Sequence, residues 1–177
     1  MGRLLAVVLL AARAATGAEA QKPTEYEVKS AFLFHFARLT EWPQAALAPG
    51  QPFVVAVIGH DALGGALDRV LEGQAVHGHP LVIRRAAAPE ALPERPHILF
   101  VGTDRQEAAR VLRHYREQPV LTVGEMEGFG EMGGIVNFFV TAEGRIRFEI
   151  NVRQAEARGL RMSSQVLKLA RIVGPGP

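Results

Sequence analysis

Histidines are the first candidates for chemistry in this chain, because imidazole binds metal ions and transfers protons near neutral pH. His77 and His79 have a spacing that would place both rings on one face of a strand. No third ligand is evident in the sequence. His35 lies among aromatic residues and His97 opens an apolar segment, positions typical of hydrogen-bonded structural histidines. The pattern favours structural histidines over a metal site.

Two glycine-rich segments are candidates for phosphate or partner contact. Residues 59–65 have neither the GxGxxG spacing nor a Walker lysine, and Asp61 would repel phosphate from the start of the next helix. Residues 128–134 place four glycines around Phe129 and Met132. This composition predicts a surface loop with positive φ angles and contact with a ligand or partner.

Nucleophilic catalysis finds little support in the sequence. The only serines are Ser30, Ser163 and Ser164, and none lies in a Gly-x-Ser-x-Gly elbow. The chain has no cysteine. Arg147 and Glu149 share the polar face of an alternating segment, which predicts a solvated ion pair rather than an acid–base couple. An enzymatic function is therefore disfavoured.

The elements that would position these residues follow an α/β rhythm. Three apolar segments that end in glycine predict buried strands at 53–59, 97–102 and 120–124. A shorter strand is predicted at 81–84, and a Gly-containing hairpin at 135–150 completes the sheet. Helices are predicted after Asp61 and Asp104, from Asn151 to Gly159, and from Ser163 or Ser164 to about Val173. We expect a single α/β domain with a mixed, mostly parallel sheet flanked by helices, a C-terminal antiparallel hairpin at the sheet edge, and two terminal helices.

The first predicted helix starts at a capping box formed by Thr24 and Glu27. Its apolar residues cover most of its circumference, which favours burial on two sides. Trp42-Pro43 is expected to end it near Glu41, because proline disfavours helical geometry in the preceding residue.

Residues 1–20 resemble a signal peptide. Arg3 precedes an apolar run that is too short to span a bilayer, and Ala18-Glu19-Ala20 suits signal peptidase. Residues 21–177 would then form the mature domain, with 18 basic and 17 acidic residues. These charges are interleaved, which argues against nucleic-acid binding. We expect no cofactor and no metal.

Several ordered motifs together resemble the YfiR family of periplasmic regulators. They comprise residues 25–36, Glu41-Trp42-Pro43, 59–61, 97–100, 121–124, 147–151 and 159–170. The resemblance covers nearly the whole mature chain. It implies a YfiR-like α/β domain over 21–177 in the periplasm.

The resemblance further implies a negative regulator that binds the periplasmic sensory domain of an inner-membrane diguanylate cyclase. Binding would lower cyclic di-GMP and oppose biofilm formation, and an outer-membrane lipoprotein would sequester the regulator. A homodimer and redox-sensitive disulfides are also linked to the family. Pro96 stands where relatives often have cysteine, so this chain lacks the disulfide switch.

A domain of this kind is expected to act through its surface. The candidate partner-binding residues are aromatic, glycine-loop and charged side chains: Tyr26, Lys29, Phe36, Trp42, Phe129, Met132, Arg147 and Glu149. Core packing would also explain most of the aromatic residues. The alternative function is a periplasmic small-ligand binding module, with a pocket bordered by the strand ends at Gly59, Gly102 and Gly124.

Overall fold

The structure is a computed structural model that describes residues 22–174. The predicted signal peptide lies outside these residues. The helices are α1 (Glu25–Arg38), α2 (Gly64–Leu71), α3 (Arg105–His114), α4 (Val152–Ala157) and α5 (Ser164–Leu167). The strands are β1 (Thr40–Glu41), β2 (Phe53–Gly59), β3 (Ala75–Val76), β4 (His79–Ala86), β5 (Ile98–Gly102), β6 (Leu121–Gly124), β7 (Val136–Val140), β8 (Ile146–Ile150), β9 (Arg161–Met162) and β10 (Arg171–Ile172).

Eight of the strands form one sheet in the order β10-β8-β7-β6-β5-β2-β4-β3. Only β7 with β8 and β3 with β4 are antiparallel; the other neighbours in this sheet run parallel. β1 and β9 form a separate antiparallel pair. The predicted fold class, a mixed and mostly parallel sheet flanked by helices with an antiparallel hairpin, is confirmed.

Helices cover both faces of the sheet, which explains why its central strands are apolar along their whole length. On one face, α1 and α2 pack over side chains such as Val55, Val57 and Phe100. On the other face, α3 packs over Ala56, Ile58 and their neighbours. Within residues 22–174, no helix combines the length and the apolar character needed to cross a bilayer.

Helix α1 begins at the predicted capping box. The Thr24 hydroxyl accepts a hydrogen bond from the Glu27 amide, and the Glu27 carboxylate accepts one from the Thr24 amide. The helix ends at Arg38, before the predicted stop at Trp42-Pro43, because β1 leaves it to pair with β9. Phe36 is fully buried and packs against Phe148, with 5.0 Å between ring centroids.

The C-terminal region differs from the prediction in two respects. The last helix, α5, is a single turn that ends at Leu167 instead of near Val173, and the chain then forms β10. Strand β10 pairs with β8, so the hairpin of β7 and β8 does not form the edge of the sheet. Sequence periodicity cannot reveal a strand as short as β10.

His97 is a structural histidine of the core, as its position predicts. Its Nδ1 accepts a hydrogen bond from the Val54 amide at 3.0 Å, so its Nε2 carries the hydrogen and donates to the Ala46 carbonyl at 2.8 Å. The ring is 6% exposed and stacks on Phe53, with 4.6 Å between centroids. Burial lowers the pKa of His97 below its ordinary value of 6.5.

This environment predicts that the free energy of unfolding falls as the pH drops below about 6.5. Below that pH the unfolded state takes up a proton at His97 that the folded state resists, so the native state is penalised. The measurement is urea unfolding of wild type and of His97→Gln between pH 7.5 and 5. The variant should be less stable at pH 7.5 and should show a shallower loss of stability with acid. The exposed His35→Gln is the control; an unchanged slope in His97→Gln would contradict the assignment.

Candidate functional site

An open cleft lies where the carboxyl end of β6 meets β7, β8 and β10. Its volume is about 900 Å³. The acidic cleft, as we call it, is lined by Glu125, Met126, Glu127, Gly128, Gly130, Glu131, Asn137, Phe138, Phe139, Val140, Glu149, Asn151, Gln154, Arg171, Val173 and Gly174. Four carboxylates stand against one guanidinium in this lining. One wall is formed by residues 125–134, which we call the glycine loop.

The glycine loop is anchored by Phe129, whose side chain is fully buried. The ring lies between Gly124 and Gly134: a Cβ on Gly124 would lie 2.6 Å from the ring, and one on Gly134 would clash with the ring's opposite edge. The glycines at these two positions therefore leave the space that the aromatic ring fills. Gly128 and Gly133 have positive φ angles of 73° and 95°, as the composition predicts.

Lys29 connects α1 to the start of the glycine loop. Its ammonium group donates to Glu125 at 2.6 Å and also to Glu25, while the residue is only 3% exposed. Burial acts to lower the pKa of Lys29, but the hydrogen bonds to these two carboxylates outweigh it, and the pKa is raised overall. The ammonium thus stays charged and holds Glu125 in place.

Asn137 and Glu149 form a buried polar pair on the floor of the cleft. The Asn137 amide donates to Glu149 Oε1 at 3.2 Å, and its oxygen accepts from the Met126 backbone at 3.0 Å. Arg171 donates to Glu149 Oε2 from Nη2 at 2.5 Å and from Nε at 3.2 Å. Through this network, one carboxylate joins β7, β8, β10 and the glycine loop.

Two further contacts hold the backbone of the glycine loop. Asn151 caps α4 through its side-chain oxygen and donates from its amide nitrogen to the Gly130 carbonyl at 3.2 Å. Arg105 donates to the Glu127 carbonyl at 2.9 Å. The loop is therefore fixed along its length, while the side chains of Glu127 and Glu131 remain exposed to solvent.

The cleft combines negative charge with accessible apolar surface. The Arg171 guanidinium stacks over the Phe139 ring, 4.4 Å from its centroid, and Val140 is 50% exposed. Glu149 is buried and its carboxylate is hydrogen-bonded to Asn137 and Arg171. Among the described residues, the unpaired negative charge of the cleft therefore comes from Glu127 and Glu131 at its rim. Such a surface suits a peptide segment that carries a basic and an apolar side chain.

The structure separates the candidate partner-binding residues into two groups. Five are buried, with exposed fractions of 9% or less: Lys29, Phe36, Trp42, Phe129 and Glu149. A buried side chain offers no contact area to a partner, so these five act within the fold in this conformation. Tyr26 and Met132 are half-buried, and Arg147 is exposed. Arg147 and Glu149 do not form the solvated pair that strict alternation predicts, because β10 covers Glu149 and supplies Arg171 instead.

His77 and His79 do not share a strand face. His77 occupies the turn between β3 and β4 with a φ of 51°, and its Nε2 lies 3.2 Å from the Thr40 carbonyl. His79 Nδ1 lies 2.7 Å from the Gln51 carbonyl. Among residues 22–174, no group of three or more His, Asp or Glu side chains is arranged to hold a metal ion.

The strand ends at Gly59 and Gly102 lie in direct contact with each other. The His60 amide donates to the Gly102 carbonyl at 2.6 Å, and a Cβ on Gly59 would lie 2.5 Å from that oxygen. Gly124 is covered by Phe129. Asn137 and Arg171, which complete the acidic cleft, were missed by sequence reasoning; a polar residue inside the apolar run of β7 was the available signal for Asn137.

The Asn137–Glu149 pair yields a stability prediction. Asn137→Asp should destabilise the fold by about 1 to 3 kcal/mol at neutral pH, because it sets two buried carboxylates against each other. Adding Glu149→Gln again pairs one amide with one carboxylate, with the two groups exchanged between the positions. The double variant should therefore lose less free energy of unfolding than the sum of the losses in the two single variants. Urea unfolding measures all four proteins. Strict additivity would contradict direct coupling, and Glu143→Gln on the exposed hairpin turn is the control.

Comparisons with known proteins agree with this description. A crystal structure titled conserved domain protein from Vibrio cholerae O1 biovar El Tor str. N16961 superposes with a TM-score of 0.56 at 14% identity, covering 84% of this chain and 60% of that chain. This likeness supports the fold, and the chain spans only 60% of that relative's length.

No curated protein matches the chain. A family model described as YfiR/HmsC-like matches residues 26–171. The chain therefore belongs to the YfiR/HmsC-like family.

Proposed function

We propose that this chain is exported to the periplasm and binds the periplasmic sensory domain of an inner-membrane diguanylate cyclase. Binding holds the cyclase in a less active state, so that cyclic di-GMP and biofilm formation fall. The observation that carries this proposal is the family match over residues 26–171. The resemblance of residues 1–20 to a signal peptide supports export.

The acidic cleft is the surface that we assign to the cyclase. Glu127 and Glu131 present free negative charge at its rim, while Phe139 and Val140 offer apolar area below them. Charges at a rim steer the encounter and select partners, whereas buried apolar area supplies most of the affinity. We therefore expect the cyclase to place a basic side chain and an apolar side chain in this cleft.

The rigid attachment of the glycine loop supports a docking role. Phe129, Lys29 and Asn137 fix the loop before any partner arrives. A surface that is already ordered loses little conformational entropy on binding. The rim carboxylates can therefore act as a preformed recognition element.

The sheet edge beside the cleft is a second part of the proposal. Leu169 and Ile172, just before and within the edge strand β10, are 65% and 54% exposed. We assign this apolar edge to the homodimer. An outer-membrane lipoprotein would release the cyclase by competing for the acidic cleft.

Charge reversal at the rim tests the proposal. In cells, Glu127→Lys combined with Glu131→Lys should reduce the cyclase recovered with the tagged protein from membranes by about tenfold or more, because both charges then repel a basic partner. Cyclic di-GMP should rise to the level of the deletion strain. Quantitative co-purification and cyclic di-GMP measurement in the same cultures give both readouts.

The matched control is Glu72→Lys combined with Glu90→Lys, which makes the same charge change at exposed positions far from the cleft. It should retain wild-type binding and signalling. If wild-type protein retains no membrane cyclase and deletion leaves cyclic di-GMP unchanged, the proposed function is wrong. If both double variants bind equally well, the cyclase uses another surface.

A further inference from the structure

A second cavity, of about 500 Å³, lies on the other side of the glycine loop, between α3 and α4. This basic pocket is lined by Leu112, Arg113, Arg116, Glu117, Met132, Gly133, Gln154, Ala157 and Arg158. Three guanidinium groups stand against one carboxylate in the lining. Its charge is therefore opposite to that of the acidic cleft.

Arg158 is the unusual member of this lining, because it is only 4% exposed and has no carboxylate partner within residues 22–174. Its Nη1 donates to the Val120 carbonyl and to Thr122 Oγ1, each at 3.3 Å, and its Nη2 donates to the Gly133 carbonyl at 2.7 Å. All three acceptors are neutral. Its Nε is buried and has no acceptor in the described part of the chain.

A buried cation without a counter-ion is costly, and burial lowers the pKa of Arg158 to about 10. Hydrogen bonds to carbonyl groups offset part of this cost but supply no opposite charge. An anion beside the guanidinium would supply the opposite charge. The empty volume of the basic pocket borders this side chain.

The two other arginines extend the positive charge to the pocket mouth. Arg113 has no carboxylate within 4 Å among the described residues. Arg116 pairs only with its neighbour Glu117 at 2.9 Å, and the two side chains are 70% and 80% exposed. An ion pair as exposed as this contributes little, so Arg116 is free to bind another anion. The last turn of α3 accounts for cations at this place, but it does not account for the unpartnered Nε of Arg158.

We propose that the basic pocket binds a small tetrahedral oxyanion, phosphate or the phosphate group of a monoester. Arg113 and Arg116 would contact it at the mouth, and the positive charge of the buried Arg158, which lines the same pocket, would attract it. Planar guanidinium forks match the spacing of phosphate oxygens, and arginine is preferred where such groups are recognised.

This site is separate from the proposed cyclase-binding function, but the glycine loop connects the basic pocket to the acidic cleft. Arg158 holds the Gly133 carbonyl at one end of the glycine loop, and Gln154 lines both the basic pocket and the acidic cleft. An oxyanion bound at Arg158 would therefore stabilise the loop that forms the cleft wall. Binding of the oxyanion does not require the cyclase.

Isothermal titration of the purified protein with inorganic phosphate, in chloride buffer of matched ionic strength, tests the site. We expect saturable binding with a Kd of about 1 mM or tighter. Arg113→Gln combined with Arg116→Gln, both at exposed positions, should weaken binding by about tenfold or more. The Nε–H resonance of Arg158 in an NMR titration should shift with the same midpoint as the heat signal. These variants leave Arg158 and the core intact.

The matched control is Arg95→Gln combined with Arg145→Gln, which removes two exposed guanidinium groups elsewhere. Its Kd should stay within about twofold of wild type. The proposal is overturned if phosphate gives no saturable binding, if the control loses as much affinity as the pocket variant, or if the Arg158 resonance does not move. The same titration with glycerol phosphate shows whether the pocket binds a phosphate monoester more tightly than the free ion. Equal binding of acetate would overturn the assignment to a tetrahedral oxyanion.

Discussion

The structure around the candidate site depends on the burial of one aromatic ring. Phe129 fills the space that Gly124 and Gly134 leave free, and this contact fixes the glycine loop against α3 and the sheet. A Cβ at either glycine would displace the ring. The rim carboxylates on one side of the loop and the Gly133 carbonyl on the other are positioned by the same anchor. The acidic cleft and the basic pocket are thus two consequences of one packing contact.

Around this anchor, charged groups near the core are paired within the protein, and charged groups at the rim of the cleft are exposed to solvent. Charged groups close to the core are hydrogen-bonded internally, as with Lys29 to Glu125 and Glu149 to Arg171, and they hold elements together. Charges at the rim of the cleft remain free for a partner. Arg158 departs from this arrangement, since it is buried without a carboxylate. That exception distinguishes the basic pocket from an ordinary charged surface.

The strands and helices could be predicted from sequence where apolar segments are long and caps are clear. The run at β2 and the capping box at Thr24 are examples, and both are present in the structure. β10 could not be predicted, because two residues carry no periodicity and their pairing with β8 depends on the rest of the sheet. The burial of Glu149 follows from that missed strand. An alternating segment predicts a wet face only when no further strand covers it.

The candidate site was only partly predictable for the same reason. The glycine loop was identified by composition, but Phe129 was expected at the surface and lies in the core. Glycines beside an aromatic residue indicate either a flexible surface loop or a closely packed ring, and only the tertiary structure separates the two. Family membership supports the class of function that we propose, and the geometry supports the surface that we assign to the partner.

The most direct test of the account is hydrogen–deuterium exchange of this protein with and without the isolated periplasmic domain of the cyclase. The account predicts that added protection upon binding concentrates in residues 125–134 and 137–140, at the rim and wall of the acidic cleft. Protection confined to α2 and β4, at the opposite end of the sheet, would contradict it.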